Sequence, residues 1–124
     1  MLRLPRQSES KAVTSAAKNK GSRFEREIVE YLRQCGFRAE RTRSGWVDDR
    51  GDISGVDGFT WECKNHKATD LAGWVRELEA ECANAGTELG AVIHKKRGVA
   101  DPGSQYATLP LRMLVVLLRR AGIE

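Results

Sequence analysis

The sequence predicts a single α/β domain with a mixed β-sheet flanked by helices. Three segments repeat apolar residues every three or four positions, as the buried face of a helix does, and shorter segments between them have the apolar runs or alternation of strands. Glycine or proline stands at most segment boundaries. In chain order the segments are a helix, three strands, a helix, two strands and a helix, and 124 residues allow one modest core.

The first half of the chain is predicted to contain one helix and three strands. Gly36 ends the helix, because glycine accepts the left-handed backbone of a helix C-terminus. Asp57-Gly58 is a strong turn signal, so the strands on either side of it are expected to pair as a hairpin. The predicted segments are a helix whose apolar face spans 24–35, a strand over 37–43, a polar loop over 46–51, and strands over 52–56 and 59–65.

The second half is predicted to contain a helix, two short strands and a last helix. Thr69 or Asp70 can cap the first of these helices, and Gly86 follows its end. The leucine-rich last helix, 110–121, is predicted to be mainly core, with a dimer surface as the alternative. The apolar face of the earlier helix is Leu71, Trp74, Val75, Leu78 and Cys82, and the two strands are 89–94 and 105–109.

The net charge of +4 lies at the N-terminus. Residues 1–20 carry five basic residues against Glu9, whereas residues 21–124 carry equal numbers of basic and acidic residues. Residues 1–20 also lack a sustained apolar period, so they are predicted to form a mobile basic arm, and residues 21–124 the folded domain. A basic arm is consistent with contact to phosphates and equally with a solvated leader.

Composition favours a cytoplasmic protein. No apolar run approaches the ~20 residues needed to cross a bilayer, and the N-terminus lacks the apolar stretch of a secretory signal. Cys35, Cys63 and Cys82 are odd in number and show no Cys-x-x-Cys spacing, which argues against a disulfide framework. They are expected to be reduced and buried as small hydrophobic residues.

The segment 59–64, Phe-Thr-Trp-Glu-Cys-Lys, has the clearest chemical pattern. Side chains alternate between the faces of a strand, so its odd-numbered residues are expected to face the core and Thr60, Glu62 and Lys64 the other side. Asp52 lies on the other strand of the hairpin and can come level with Glu62. Two such carboxylates repel each other unless a divalent cation or Lys64 neutralises them. The alternative is an exposed hairpin face with ordinary salt bridges.

Glu25 is a further candidate because of its place on the first helix. It lies at the edge of the buried stripe, whereas Glu27 and Glu30 lie on the open face. A carboxylate at that edge points along the helix surface toward the sheet. The alternative is a capping box, Ser22-x-x-Glu25, in which Glu25 accepts a hydrogen bond from the Ser22 amide.

Four short motifs within residues 20–95 stand in a characteristic order. Their order and spacing resemble the PD-(D/E)XK nuclease superfamily and, within it, the archaeal-type Holliday junction resolvases. The resemblance implies a restriction-endonuclease-like fold. One departure is Gly51, which stands where that family usually has proline or valine. The motifs are Lys20-Gly21-Ser22-Arg23-Phe24-Glu25-Arg26-Glu27, Gly36-Phe37, Gly51-Asp52-Ile53 and Trp61-Glu62-Cys63-Lys64.

The resemblance implies metal-assisted hydrolysis of a DNA phosphodiester. Its catalytic residues would be Glu25, Asp52, Glu62 and Lys64. One or two Mg²⁺ ions, with Mn²⁺ as a substitute, would be held by Glu25, Asp52, Glu62 and the Cys63 backbone carbonyl. Lys64 would orient the attacking water and stabilise negative charge in the transition state. The Cys63 thiol is not expected to act as a nucleophile, because strand alternation turns it into the core.

Basic residues near the motifs are candidates for contact with DNA phosphates. The resemblance singles out Arg26 and Arg41. Arg43 belongs to the basic group before Asp52, and Lys95-Lys96-Arg97 follows a predicted strand. Both groups could grip the DNA backbone, and both are also ordinary as surface charges.

The function that the resemblance implies is resolution of four-way (Holliday) DNA junctions by paired nicks. Two nicks on opposed strands need two catalytic centres and one chain supplies one, so a homodimer is expected. One alternative is the same centre acting on a flap, single-stranded DNA or a restriction-type site. Another is a non-catalytic DNA-binding module with the same fold.

Overall fold

A computed structural model describes residues 20–42 and 51–124. Within these ranges it has mixed α/β architecture, with helices on both sides of a five-stranded sheet. The predicted order of elements is confirmed. In chain order they are α1 (residues 20–34), β1 (Glu40–Arg41), β2 (Ile53–Ser54), β3 (Phe59–Lys64), α2 (Leu71–Ala85), β4 (Leu89–His94), β5 (Tyr106–Thr108) and α3 (Leu111–Arg120).

The strands lie in the sheet in the order in which they occur in the chain. The β3 and β4 strands are parallel and α2 connects them, whereas the other neighbouring strands are antiparallel. The predicted hairpin is present, with Ile53 opposite Trp61 and a positive φ of 79° at Gly58 in the turn. One residue further along this antiparallel register, Asp52 lies level with Glu62, as the turn signal predicted.

Helices cover both faces of the sheet. On one face α1 packs against the central strands, and on the other face α2 and α3 do so. The buried residues of the first cluster are Phe24, Ile28, Val29, Leu32, Ala39, Ile53, Ala91 and Ile93. Those of the second are Trp74, Leu78, Cys82, Leu89, Val92 and Met113.

This double cover corrects one expectation for β3. Trp61 and Cys63 pack against the α1 side, as the alternation predicted. Thr60 and Glu62, however, are only 1% and 5% exposed, because α2 lies over their face. An exposed, salt-bridged hairpin face is therefore excluded for Glu62.

The helix ends follow the predicted capping residues. Asp70 caps α2, and its Oδ1 accepts a hydrogen bond from the Gly73 amide at 3.1 Å. Gly86 ends α2 with a φ of 71°, and Gly36 follows α1 with a φ of 99°. Leu71 is an exception to the predicted apolar face, because it is 41% exposed at the first position of α2.

Two further segments differ from the sequence prediction. Of the strand predicted over 37–43, the described residues 37–42 form a strand only at Glu40–Arg41, which pairs with the two residues of β2. The α3 helix buries Met113 but exposes an apolar side, so the core prediction holds for one side only. That exposed side comprises Leu111, Leu114, Val115 and Leu118. Residues 1–19 of the predicted arm over 1–20, residue Arg43, and residues 46–50 of the predicted loop over 46–51 lie outside the described residues. Lys20, which was assigned to the arm, belongs to α1 instead.

None of the helices in the part of the chain that the structure describes is both long enough and apolar enough to cross a membrane.

Candidate active site

A cleft of about 550 Å³ lies at the C-terminal end of β3. The start of α1 borders it on one side, and the residues that follow β3 border it on the other. All four predicted catalytic residues contribute to its wall, so the fold brings them together from three separate elements. The lining residues are Lys20, Gly21, Ser22, Glu25, Arg41, Asp52, Glu62, Cys63, Lys64, Asn65, His66 and Lys67.

Asp52 is held against β3 by the backbone. Its Oδ2 accepts a hydrogen bond from the Cys63 amide at 2.6 Å, and its own amide donates to the Trp61 carbonyl at 2.7 Å. Gly51 precedes it with a φ of 97°, and a Cβ there would lie 2.7 Å from the Trp61 carbonyl oxygen. The close approach of the two strands therefore requires glycine at this position.

Glu62 is buried between β3 and α2. Burial and, after it, a hydrogen bond with the neighbouring Glu81 carboxyl group raise its pKa to about 8, although Asp52 and Lys64 oppose this. Its Oε1 lies 4.0 Å from Lys64 Nζ. Its Oε2 is buried and has no hydrogen-bond partner among the described residues. Without a cation, Glu62 is therefore largely protonated at neutral pH.

Lys64 has an acidic environment. Its Nζ donates a hydrogen bond to Glu77 Oε2 at 3.0 Å. Burial lowers the pKa of Lys64, but the hydrogen bond to Glu77 and the charge of Glu62 outweigh burial and raise the pKa above its ordinary value. Lys64 therefore stays an ammonium group, which can donate hydrogen bonds and stabilise negative charge but cannot accept a proton.

Glu25 reaches the cleft from α1 and contacts Arg41. The Arg41 Nε donates to Glu25 Oε1 at 3.1 Å, and another guanidinium nitrogen of Arg41 donates to Ser22 Oγ at 3.1 Å. Burial and the charge of Asp52 raise the pKa of Glu25, although Arg41 opposes this. Ser22 lies inside α1, so it is not the N-cap residue and the capping-box alternative is wrong.

Cys63 lies between the cleft and the core. Burial raises the pKa of its thiol well above the ordinary value, and the negative charges of Asp52 and Glu25 raise it further. The thiol is thus protonated, and it packs against the buried residues on the α1 side of the sheet. A nucleophilic role is disfavoured there, because the thiolate is the reactive form of cysteine. In a strand, the amide and carbonyl of one residue point to the same edge, so the Cys63 carbonyl faces the side on which its amide meets Asp52.

Of the predicted DNA-contacting residues that the structure describes, only Arg41 lines the cleft. Arg26 is exposed on α1, outside the cleft. After β4, Lys95 Nζ donates to the Val99 carbonyl at 2.6 Å, and Arg97 donates to the His66 carbonyl at the cleft rim. The side chain of Lys96 lies over the Tyr106 ring, 5.7 Å from its centroid. Lys95 thus orders its own loop, and Arg97 connects this loop to the segment that follows β3.

Two glutamates of α2, Glu77 and Glu81, lie beside Glu62 and were not predicted from the sequence. Carboxylate oxygens of Glu77, Glu81 and Glu62 all lie within 4.8 Å of one another, so these residues could hold a metal ion. Helical spacing could have found Glu81. It falls in the buried stripe of Trp74, Leu78 and Cys82, which is the criterion that identified Glu25.

Comparison with protein-family models, with curated proteins and with solved structures found no match for this chain.

Proposed function

We propose that the protein is a metal-dependent endodeoxyribonuclease that resolves four-way DNA junctions. The observation that carries the proposal is the convergence of Glu25, Asp52, Glu62 and Lys64 on one cleft. Separate elements of the fold supply these groups, so their proximity is a property of the fold rather than of a local charge cluster. A carboxylate group beside an ammonium group suits hydrolysis of a phosphodiester, where negative charge develops on phosphate oxygens.

The residues of the cleft fit a hard divalent cation. Asp52 and Glu62 offer carboxylates, and the Cys63 carbonyl faces the same side, so Mg²⁺ would find the oxygen ligands that it prefers. Two buried oxygens of the cleft, Glu62 Oε2 and Asn65 Oδ1, have no hydrogen-bond partner within the described ranges. Glu25 would join from α1, where Arg41 at present donates to one of its oxygens. When bound, Mg²⁺ would lower the pKa of a ligated water and neutralise charge on the phosphate.

The protein side chains have distinct roles in this proposal. Lys64 keeps its proton, so it would orient the attacking water and stabilise the charge that develops on the phosphate. Arg41 would contact a phosphate next to the scissile one, since it lines the same cleft. The buried Cys63 thiol takes no part in the reaction.

The rim of the cleft has basic side chains suited to a DNA backbone. Lys20, Lys67 and Arg41 line it, whereas the carboxylates lie around the end of β3. Cations at the rim attract phosphates, and the carboxylates below would repel them until a divalent ion is bound. This distribution supports DNA as the substrate, and it predicts that productive binding needs the metal.

Junction resolution further requires two centres, which a homodimer would supply. The exposed apolar side of α3 is the candidate surface for the contact between the two chains. The proposed dimer would present two clefts to the opposed strands of a four-way junction.

The test is cleavage of labelled four-way junctions beside matched duplex, flap and single-stranded DNA, with and without Mg²⁺. Paired nicks in opposed strands of the junction alone, dependent on the metal, are expected. Asp52→Asn should abolish them, and Asp57→Asn, a matched change in the exposed hairpin turn, should not. Equal cleavage of flaps or single strands would show that the enzyme does not select four-way junctions. Binding without cleavage under any metal would leave only a DNA-binding module.

A further inference from the structure

The glutamates between β3 and α2 form a group of their own. Glu77 precedes Glu81 by one helical turn, so both project from one side of α2 toward the end of β3. Glu62 and Glu81 are only 5% and 3% exposed, whereas Glu77 lies at the surface. In the described part of the chain, neither Asp52 nor Glu25 belongs to a cluster of three acidic residues whose carboxylate oxygens lie within 4.8 Å of one another.

The environment of Glu62 points to an ion in this group. Its side chain is 6% exposed, and its Oε2 meets no hydrogen-bond donor among the residues described. Glu81 is the neighbouring carboxyl group, and two ionised carboxylates can only accept hydrogen bonds, so a proton or a cation must lie between the two. Lys64 does not fill the position, because its Nζ contacts Glu77 at 3.0 Å and approaches the other oxygen of Glu62 at 4.0 Å.

We infer that Glu62, Glu77 and Glu81 bind a divalent cation of the Mg²⁺ and Mn²⁺ class on the α2 side of β3. All three ligands are carboxylates, which such hard cations prefer. The ion is separate from the one proposed at Asp52, and Glu62 is the ligand common to both. Glu77 also holds Lys64, so the ion would fix the carboxylate that orients this ammonium group.

This inference deepens the proposed function, but its test needs no DNA. Mn²⁺ is titrated into the metal-free full chain, and bound ions are counted by electron paramagnetic resonance and calorimetry. Glu81→Gln and Glu77→Gln should each weaken one bound ion about tenfold or more, and Asp52→Asn should leave that ion in place. Glu79→Gln is the matched control, because Glu79 lies on α2 but pairs with Arg112.

The outcomes separate the ion site from the nuclease. If both α2 variants bind Mn²⁺ as the unchanged protein does, the site is refuted. Glu81 is buried, so the Glu81→Gln variant could fail to fold. The Glu77→Gln variant keeps the test valid in that case, because the Glu77 side chain is 52% exposed and its replacement should not disturb the fold. An ion lost in these variants but retained in Asp52→Asn supports the site whether or not the protein cleaves DNA. Absence of DNA cleavage would refute only the proposed function.

Discussion

Replacing Glu62 by glutamine should remove a large part of the pH dependence of stability in the metal-free protein. The pKa of Glu62 is raised from 4.5 to about 8 in the folded chain, first by burial and then by the Glu81 carboxyl group. The folded state thus binds this proton more tightly than the unfolded state does. The resulting stabilisation is complete below the unfolded pKa and is lost as the pH rises through the folded pKa.

The magnitude follows from the two pKa values. Each unit of difference corresponds to about 1.4 kcal/mol, so between pH 5.5 and pH 7.5 the free energy of unfolding should fall by about 2.5 kcal/mol because of Glu62. The group is almost fully buried, so solvent screens this effect little. Because glutamine does not titrate, the free energy of unfolding of Glu62→Gln should not show this fall between pH 5.5 and pH 7.5.

The assay is urea unfolding followed by circular dichroism, in EDTA, at intervals from pH 5 to pH 8.5. The difference between the unchanged chain and Glu62→Gln isolates Glu62 from other titrating groups. Glu79→Gln, whose side chain is 41% exposed, should give a curve parallel to that of the unchanged chain. If the stability curve of Glu62→Gln is also parallel to that of the unchanged chain, Glu62 is ionised in the folded protein and the argument from its burial is wrong.

Three further predictions concern the proposed catalytic centre and its backbone. Asp52→Asn and Lys64→Ala should each lower single-turnover cleavage in Mg²⁺ by ~10²-fold or more with little change in DNA affinity, since they act on charge at one phosphate; near-normal rates would remove that residue from the centre. Glu25→Gln should lose cleavage with a nearly unchanged melting temperature, because glutamine can accept from Arg41 but is a poor ligand for a hard cation; retained activity would make Glu25 a partner of Arg41 only. Gly51→Ala should destabilise the fold by about 2 kcal/mol or more in urea unfolding, and more than Gly58→Ala, because both glycines have positive φ but only Gly51 has a backbone atom where a Cβ would lie.

Residue spacing alone could predict the part of the site that depends on local structure. The Asp57-Gly58 turn fixes the register of the hairpin, and the register brings Asp52 level with Glu62. Glu25 was found because its place on a helical wheel depends only on the helix that contains it. Each of these inferences depends on one helix or one turn. Within a single element, the spacing of residues in the sequence determines which side chains share a face.

The α2 side of the site depends on long-range packing, which alternation in one strand does not reveal. The β3 segment alternates like a strand with one solvent-exposed face, but its parallel pairing with β4 brings α2 across that face. Glu62 is thereby buried, and Glu81 becomes its neighbour. Similarly, the sequence gives the charges of Lys95 and Arg97 but not the loop carbonyls to which they donate.

The packing also explains how the centre tolerates its carboxylates without an ion. Three of these groups have a substitute for it: Arg41 donates to Glu25, Lys64 donates to Glu77, and the raised pKa of Glu62 keeps a proton on this carboxyl group. A divalent cation that binds Glu62 must displace that proton, so metal binding should release protons near neutral pH and weaken as the pH falls. If Glu62 is a ligand of the proposed cation, the proton that stabilises the metal-free fold is the one that the metal replaces, so the stability of the fold and the loading of the proposed site depend on the same group.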